Sequence, residues 1–155
     1  ASAAPLSVHT RQCARRAAHA CTGRARTYPQ LLLESPGATP GDMLRNTDGY
    51  LYAVMDAGIA MCWKSATGEK MWKSKLGGAF SASPVLVGDD IHAINENGQH
   101  FVFKANPREF KLIAKNQLGE QAFATPTICG GHIYCRVVED ENDQRVEKLY
   151  CLGKK

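Results

Sequence analysis

The feature that most constrains this chain is an internal repeat. Leu76-Gly77 is echoed by Leu118-Gly119, Pro84 by Pro126, Gly88 by Gly130, Ile91 by Ile133 and His92 by Tyr134, each pair 42 residues apart. Asp56-Ala57-Gly58 and Glu96-Asn97-Gly98 add an echo spaced 40. A period of this length, filled with short strands rather than helices, is what a propeller blade requires. Turn residues recur because each blade reverses its backbone at the same places. Apolar positions recur because both faces of a blade pack against neighbours.

Within the repeat, apolar, β-branched and aromatic runs alternate with turn signals. The runs predict strands over 50–55, 59–64, 70–75, 82–87, 91–95, 99–104, 110–116, 122–128, 133–138 and 147–151. Asp56-Ala57-Gly58, Thr67-Gly68, Gly88-Asp89-Asp90, Asn97-Gly98, Asn106-Pro107 and Gly130-Gly131 separate them. Gly and Asn supply the positive φ angles of tight hairpins. Ten strands make about two and a half four-stranded blades, and a ring needs at least about four blades. The expectation is therefore an all-β, partial propeller over 48–155, whose open edges invite pairing. It would be a fragment of a longer product or a unit completed by association.

Residues 1–47 differ. They hold Pro5, Pro29, Pro36 and Pro40, which interrupt any long element. Arg11, Arg15, Arg16, Arg24 and Arg26 face no acid within 1–33, giving +5 there and leaving −1 of the chain's net +4 for the rest. Without interleaved aromatics this is not a nucleic-acid arm, and no nucleic-acid partner is expected. A short helix over 10–20 is compatible with the Ala and Arg content. The composition fits an irregular, flexible extension of uncertain origin. It also resembles an organellar transit peptide superficially, and the abrupt change at residue 48 is compatible with non-native coding sequence. The sequence shows no secretory signal and no apolar run near the roughly 18 residues that span a bilayer. A hydrophobic content of 44% with 22% charged residues is that of a globular protein.

One stretch carries a family resemblance. From Cys62 to Trp72, with Thr67-Gly68 placed four residues before Trp72, the chain resembles the repeat of PQQ-like β-propellers (pyrroloquinoline quinone). The segments 77–84, 91–98 and 149–153 are similar too. The likeness covers 48–155, the family's C-terminal blades. It implies that Trp72, with an apolar area of order 200 Å², lies flat against the next blade and docks it. Lys64 stands where the family usually has Asp. The second repeat has Glu109 and Phe110 in place of Thr-Gly and Ala114 in place of tryptophan, so Phe110 and Leu112 are the expected substitutes. The family also implies export to the periplasm or cell envelope.

Several residues are of types that carry chemistry. In quinoproteins the resemblance would imply a calcium set of Glu, Asn and Asp with adjacent cysteines. This chain has no Cys-Cys pair, and Glu96 and Asn97 read as a hairpin turn. The run Glu139-Asp140-Glu141-Asn142-Asp143 lacks the glycine-centred spacing of a calcium loop and reads as a solvated tip. The six cysteines, Cys13, Cys21, Cys62, Cys129, Cys135 and Cys151, form no Cys-x-x-Cys. Pairing of 133–138 with 147–151 would set Cys135 nearly opposite Cys151, either as two buried thiols or as a disulfide. Ser81 and Ser83 lack a nucleophile elbow, and His92 and His132 read as polar blade residues. No catalytic, cofactor-binding or metal-ligating residue is assigned, and no cofactor is expected. The leading expectation is a non-enzymatic repeat module that scaffolds protein or ligand interaction, binding a protein partner or itself through its open blade edges. The alternatives are a fragment of a PQQ-dependent quinoprotein dehydrogenase and a sensor or ligand-binding domain of a larger envelope protein.

Overall fold

The computed structural model describes residues 48–153 throughout and, before them, the backbone of Ser7–Val8 and Met43–Arg45. The helix expected over 10–20, the five N-terminal arginines, Cys13 and Cys21 lie outside the described residues.

Among the described residues the elements are all strands: β1 (Ser7–Val8), β2 (Met43–Arg45), β3 (Tyr50–Met55), β4 (Ile59–Lys64), β5 (Lys70–Lys75), β6 (Val85–Val87), β7 (Asp90–Ile94), β8 (Gln99–Lys104), β9 (Leu112–Gln117), β10 (Thr127–Cys129), β11 (His132–Glu141) and β12 (Gln144–Gly153). They form three four-stranded antiparallel blades, ordered β2-β3-β4-β5, β6-β7-β8-β9 and β10-β11-β12-β1. The ten expected strands supply two and a half of these blades, and two strands from before residue 48 complete them. Met43–Arg45 pairs with β3, and Ser7–Val8 pairs with the end of β12. Strands this short within a proline-rich stretch leave no alternation to read.

The repeat has a physical origin in a brace that joins each blade to the next. In blade 1 the turn after β3 ends at Gly58, whose carbonyl accepts from the N–H groups of Leu76 (2.8 Å) and Gly77 (3.2 Å). Phe80 N–H donates to the Asp56 carbonyl at 3.0 Å. In blade 2 the same bonds run from Leu118 N–H to the Gly98 carbonyl (2.8 Å) and from Ala122 N–H to the Glu96 carbonyl (3.1 Å). The 40-residue echo and the 42-residue echo are thus the two halves of one contact. Gly58 and Gly98 need to be glycine, since both have positive φ (70° and 68°) and a Cβ at either would run into the linker's backbone carbonyls.

The outer hairpins match as well. β4 and β8 each carry a register shift, between Cys62 and Trp63 and between Val102 and Phe103. In blade 1, Thr67 Oγ1 accepts from Glu69 N–H at 3.3 Å; in blade 2, Asn106 Oδ1 accepts from Arg108 N–H at 3.0 Å. Asn106 therefore supplies the turn that the second repeat lacks as Thr-Gly. The strands expected over 82–87 and 122–128 shorten to Val85–Val87 and Thr127–Cys129. Pro84 and Pro126 have no N–H to donate to a ladder, so pairing starts only after them. Ahead of them Ser83 N–H donates to Thr125 Oγ1 at 3.1 Å, which links equivalent residues of two repeats.

Two cores hold the blades face to face. Tyr52, Val54, Ala60 and Cys62 of blade 1 meet Ile91, Ala93, Phe101 and Phe103 of blade 2, with Phe80 from the linker. On the other face of blade 2, Ile94 meets Cys135, Val137 and Leu152 of blade 3, with Ala82, Leu118 and Ala122. Lys70, Lys73 and Lys75 stud the edge strand β5, and Lys115 stands on the edge strand β9, a placement that discourages edge-to-edge pairing.

Candidate functional site

Trp72 does dock one blade on the next, with its ring steeply inclined to the aromatic rings it meets. Its ring meets Phe110 at 5.4 Å and 65° and Phe103 at 6.4 Å and 82°, both T-shaped. Its indole N–H donates to the Asn106 carbonyl of blade 2 at 2.8 Å. Edge-to-face packing suits the positive rim and negative face of aromatic rings. Phe110 joins this first seam, on the blade 1 side, and Leu112 is 46% exposed. Neither replaces the missing tryptophan toward blade 3.

Glu96 and Asn97 form a turn. Glu96 N–H donates to the Ala79 carbonyl at 2.8 Å, its carboxylate accepts from the Ser81 hydroxyl, and the Asn97 carbonyl accepts from Gln117 Nε2 at 2.7 Å. The side chain that anchors this turn is the neighbouring Asn95, fully buried, whose Oδ1 accepts from Gln99 N–H at 2.9 Å. Ser83 donates its backbone N–H to Thr125 Oγ1. His132 Nδ1 lies 3.0 Å from the Gly130 carbonyl, to which it donates within its own turn. Among the described residues no three His, Cys, Asp or Glu side chains gather to hold a metal ion.

The cysteine placement is corrected. Cys135 lies opposite Tyr150, and Cys151 opposite Tyr134. Adjacent positions on paired strands point to opposite faces, so the two thiols face away from each other; neither is in a disulfide and both are buried. Burial raises the Cys135 thiol to about 11. The one-residue slip comes from the hairpin tip, where Asn142 and Asp143 take positive φ (52° and 60°) as a two-residue turn. The tip, residues 140–145, is exposed as expected, and Glu139 and Glu141 are also engaged by a cation. Lys148 Nζ reaches Glu139 (2.6 Å) and Glu141, and the Tyr150 hydroxyl donates to Glu139. Lys148, then Tyr150, hold the Glu139 carboxyl below the usual carboxylate range.

Two places emerge that no sequence motif marked. The first is the outward face of blade 3. Ile133, Cys135 and Val137 point to blade 2, so Tyr134, Arg136 and Val138, with Leu149 and Glu147 opposite, face away from it. Leu149 and Phe123 are about half exposed there (54% and 50%). A cleft of about 200 Å³ is lined by Phe123, Arg136, Val138, Arg145 and Glu147. Arg136 grips Glu147 bidentately at 3.0 and 2.9 Å, which lowers the Glu147 carboxyl. The cleft is smaller than the roughly 300–1,000 Å³ of small-molecule sites. It is sized for a side chain. The available signal was charge: Arg136 and Glu147 alternate with apolar residues on strands that a fully sandwiched blade would keep apolar on both faces.

The second place is an imidazole pair in the seam between blades 2 and 3. His92 on β7 and His100 on β8 share the face that carries Ile94 into that seam, because Ile94 lies opposite His100. Their rings stack with centroids 5.2 Å apart and planes within 18°, and His92 Nδ1 lies 3.2 Å from His100 Nε2. His100 is fully buried. Burial, then its neighbour His92, lowers its pKa to about 4; burial also lowers that of His92, against the pull of Asp90. His92 is thus more than a polar blade residue, and His100 went unmarked because alternation alone does not show which face meets a seam.

No family model matches this chain, and no curated protein does. Among solved structures it is similar to the crystal structure of BamB from Moraxella catarrhalis, a β-propeller of PQQ-like repeat type, with a TM-score of 0.53 and 14% identity. The match covers 70% of this chain and 30% of that one, so the chain spans under a third of its neighbour's length. A likeness at this identity is one of fold, and it agrees with three blades of a larger ring.

Proposed function

We propose that this chain is a non-enzymatic PQQ-like propeller module that scaffolds protein association through the outward face of blade 3. The observation that carries this reading is the pair of half-exposed apolar side chains, Phe123 and Leu149, beside the charged cleft on a blade face over which none of the described strands lies. In the seams between blades, equivalent faces are buried. The occupant argued for is the same face of a second copy. The face carries both signs, Arg136 and Arg145 against Glu147, so a two-fold axis can set each cation near a partner's carboxylate.

Non-enzymatic character is supported by the engagement of Ser81, Glu96 and His132 in turns and linkers: the Ser81 hydroxyl is bonded to the Glu96 carboxylate with no imidazole in the pair, and His132 Nδ1 is bonded to the Gly130 carbonyl. The resemblance to PQQ-like repeats supports a place in the bacterial cell envelope, which fractionation of the native host tests. Sedimentation of the full chain over a range of concentrations tests the association. A dimer that Leu149→Asp and Phe123→Asp each convert to a folded monomer is expected. A wild-type monomer at every concentration would sink the reading.

A further inference from the structure

We propose that the seam between blades 2 and 3 is an acid-sensitive joint, in which proton uptake by the His92–His100 pair loosens blade 3 from blade 2. This inference is independent of the docking face. The geometry fixes which protons the neutral pair holds. If His92 Nδ1–H donated to His100 Nε2, the remaining proton of His100 would sit on Nδ1, a fully buried atom with no partner. An orphaned buried donor is costly. The favoured tautomer therefore has His100 Nε2–H donating to His92 Nδ1, with a bare lone pair on His100 Nδ1.

Protonation removes that solution. A cationic His92 carries a proton on both ring nitrogens, so Nδ1 ceases to be an acceptor. His100 must then accept at Nε2 and carry its own proton on the buried Nδ1, or the rings must part. Its neighbour in register, Asn116, offers no ready relief, since its amide nitrogen is itself a buried donor without a partner. Protonating His100 as well would bury two like charges side by side.

The charges around the pair do not offset the cost of burying the cation: Asp90 favours a charged His92, and burial outweighs it. On β7 Asp90 lies on the same face as His92, but Lys104 on β8 holds it at 2.6 Å. On β6 and β9 the residues paired to this face are Val85, Val87, Ala114 and Asn116. From blade 3 the titratable groups on the facing side are Cys135, Tyr150, Lys148, Glu139 and Glu141; the last two are already engaged by Lys148, and Glu139 also by Tyr150. No unpaired carboxylate faces the rings among the described residues. The neutral pair is compatible with the closed seam and the cationic pair is not.

The sign follows from linkage. Burial lowers His100 to about 4 in the folded chain, against 6.5 for an ordinary histidine. Stability from this group is complete above the unfolded value and is lost as pH falls through the window between the two. From about pH 7.5 to about pH 5.0 the folding equilibrium constant should drop about thirtyfold through His100 alone.

The test uses the full chain. The ring-proton signals of His92 and His100 are followed by NMR as pH falls, and urea unfolding is measured at both pH values for wild type and His100→Leu. Amide exchange is then compared between β7, β8 and β11 and the strands β3 and β4. Expected are a His100 midpoint near 4, a thirtyfold loss that His100→Leu removes, and acid-induced exchange that is greater along the second seam than in blade 1. A His100 midpoint at the ordinary value overturns the proposal, as does acid-induced exchange that is uniform over the three blades. If His100→Leu does not fold, the wild-type NMR titration and the exchange comparison decide alone.

Discussion

The two blade seams are built on one backbone plan and filled with different chemistry. Both use the same brace, from Gly58 to Leu76 and from Gly98 to Leu118. The first seam is then packed with aromatics: Trp72, Tyr52, Phe80, Phe101, Phe103 and Phe110. The second relies on Ala82, Ile94, Leu118, Ala122, Cys135, Val137 and Leu152, and it places two imidazoles beside them. A fully buried aromatic contributes of order 1.5–3 kcal/mol by area, and paired rings add roughly 0.5–1.5 each. Backbone hydrogen bonds thus set the blade period, while side chains set how tightly each pair of blades is held. The repeat governs geometry; the departures from it govern strength.

The comparison breaks most visibly at Trp72. Trp72→Ala removes both the ring contacts and the indole bond to Asn106, and should destabilise by about 3–5 kcal/mol in urea unfolding. Ile94→Ala, the largest aliphatic truncation within the second seam, should cost about 2–4 kcal/mol. A cost for Ile94→Ala at or above that of Trp72→Ala would show that the aromatic seam is not the stronger one. The brace calls for the opposite outcome, a match. Gly58→Ala and Gly98→Ala each put a methyl against a linker carbonyl at positive φ, so each should cost more than about 1 kcal/mol, and by similar amounts. Unequal costs would mean that the two braces differ in what they hold.

Much of this was legible in the sequence where turns and alternation agree. The strands over 50–55, 59–64, 70–75 and 99–104 match to the residue, because glycine turns or Thr67-Gly68 bound them. Legibility ended where a local signal had two readings. Glu139 to Asp143 reads as a five-residue polar tip, yet the turn is the pair Asn142-Asp143 alone, and the acids before it continue β11. Centring the hairpin on that pair moves the register by one residue and sends Cys135 and Cys151 to opposite faces. The outward face of blade 3 and the imidazole pair were out of reach for another reason. Period-2 alternation assigns residues to faces but does not say which face meets a neighbour, and Gln99 to Lys104 reads the same whether His100 is wet or sealed.

The smallest effects distinguish the two ends of blade 3. Toward blade 2, acid should act in two steps. The His pair responds first, below the ordinary histidine range. The Glu139–Lys148–Tyr150 contact responds later: its carboxyl is lowered in the folded chain, so its contribution is present above the ordinary carboxylate value of 4.5 and is lost as pH falls below it. Glu139→Gln should remove only the second step, read as the slope of the urea midpoint against pH. On the outward face the Arg136–Glu147 pair is exposed on both sides, so its contribution should be slight and screened by salt. Arg136→Ala should therefore leave the urea midpoint of the monomer nearly unchanged in physiological salt while weakening the dimer. If Arg136→Ala instead lowers stability and leaves association intact, the residue belongs to the fold of blade 3 rather than to its contact surface, and the division between sealed seam and open face has to be redrawn at that strand.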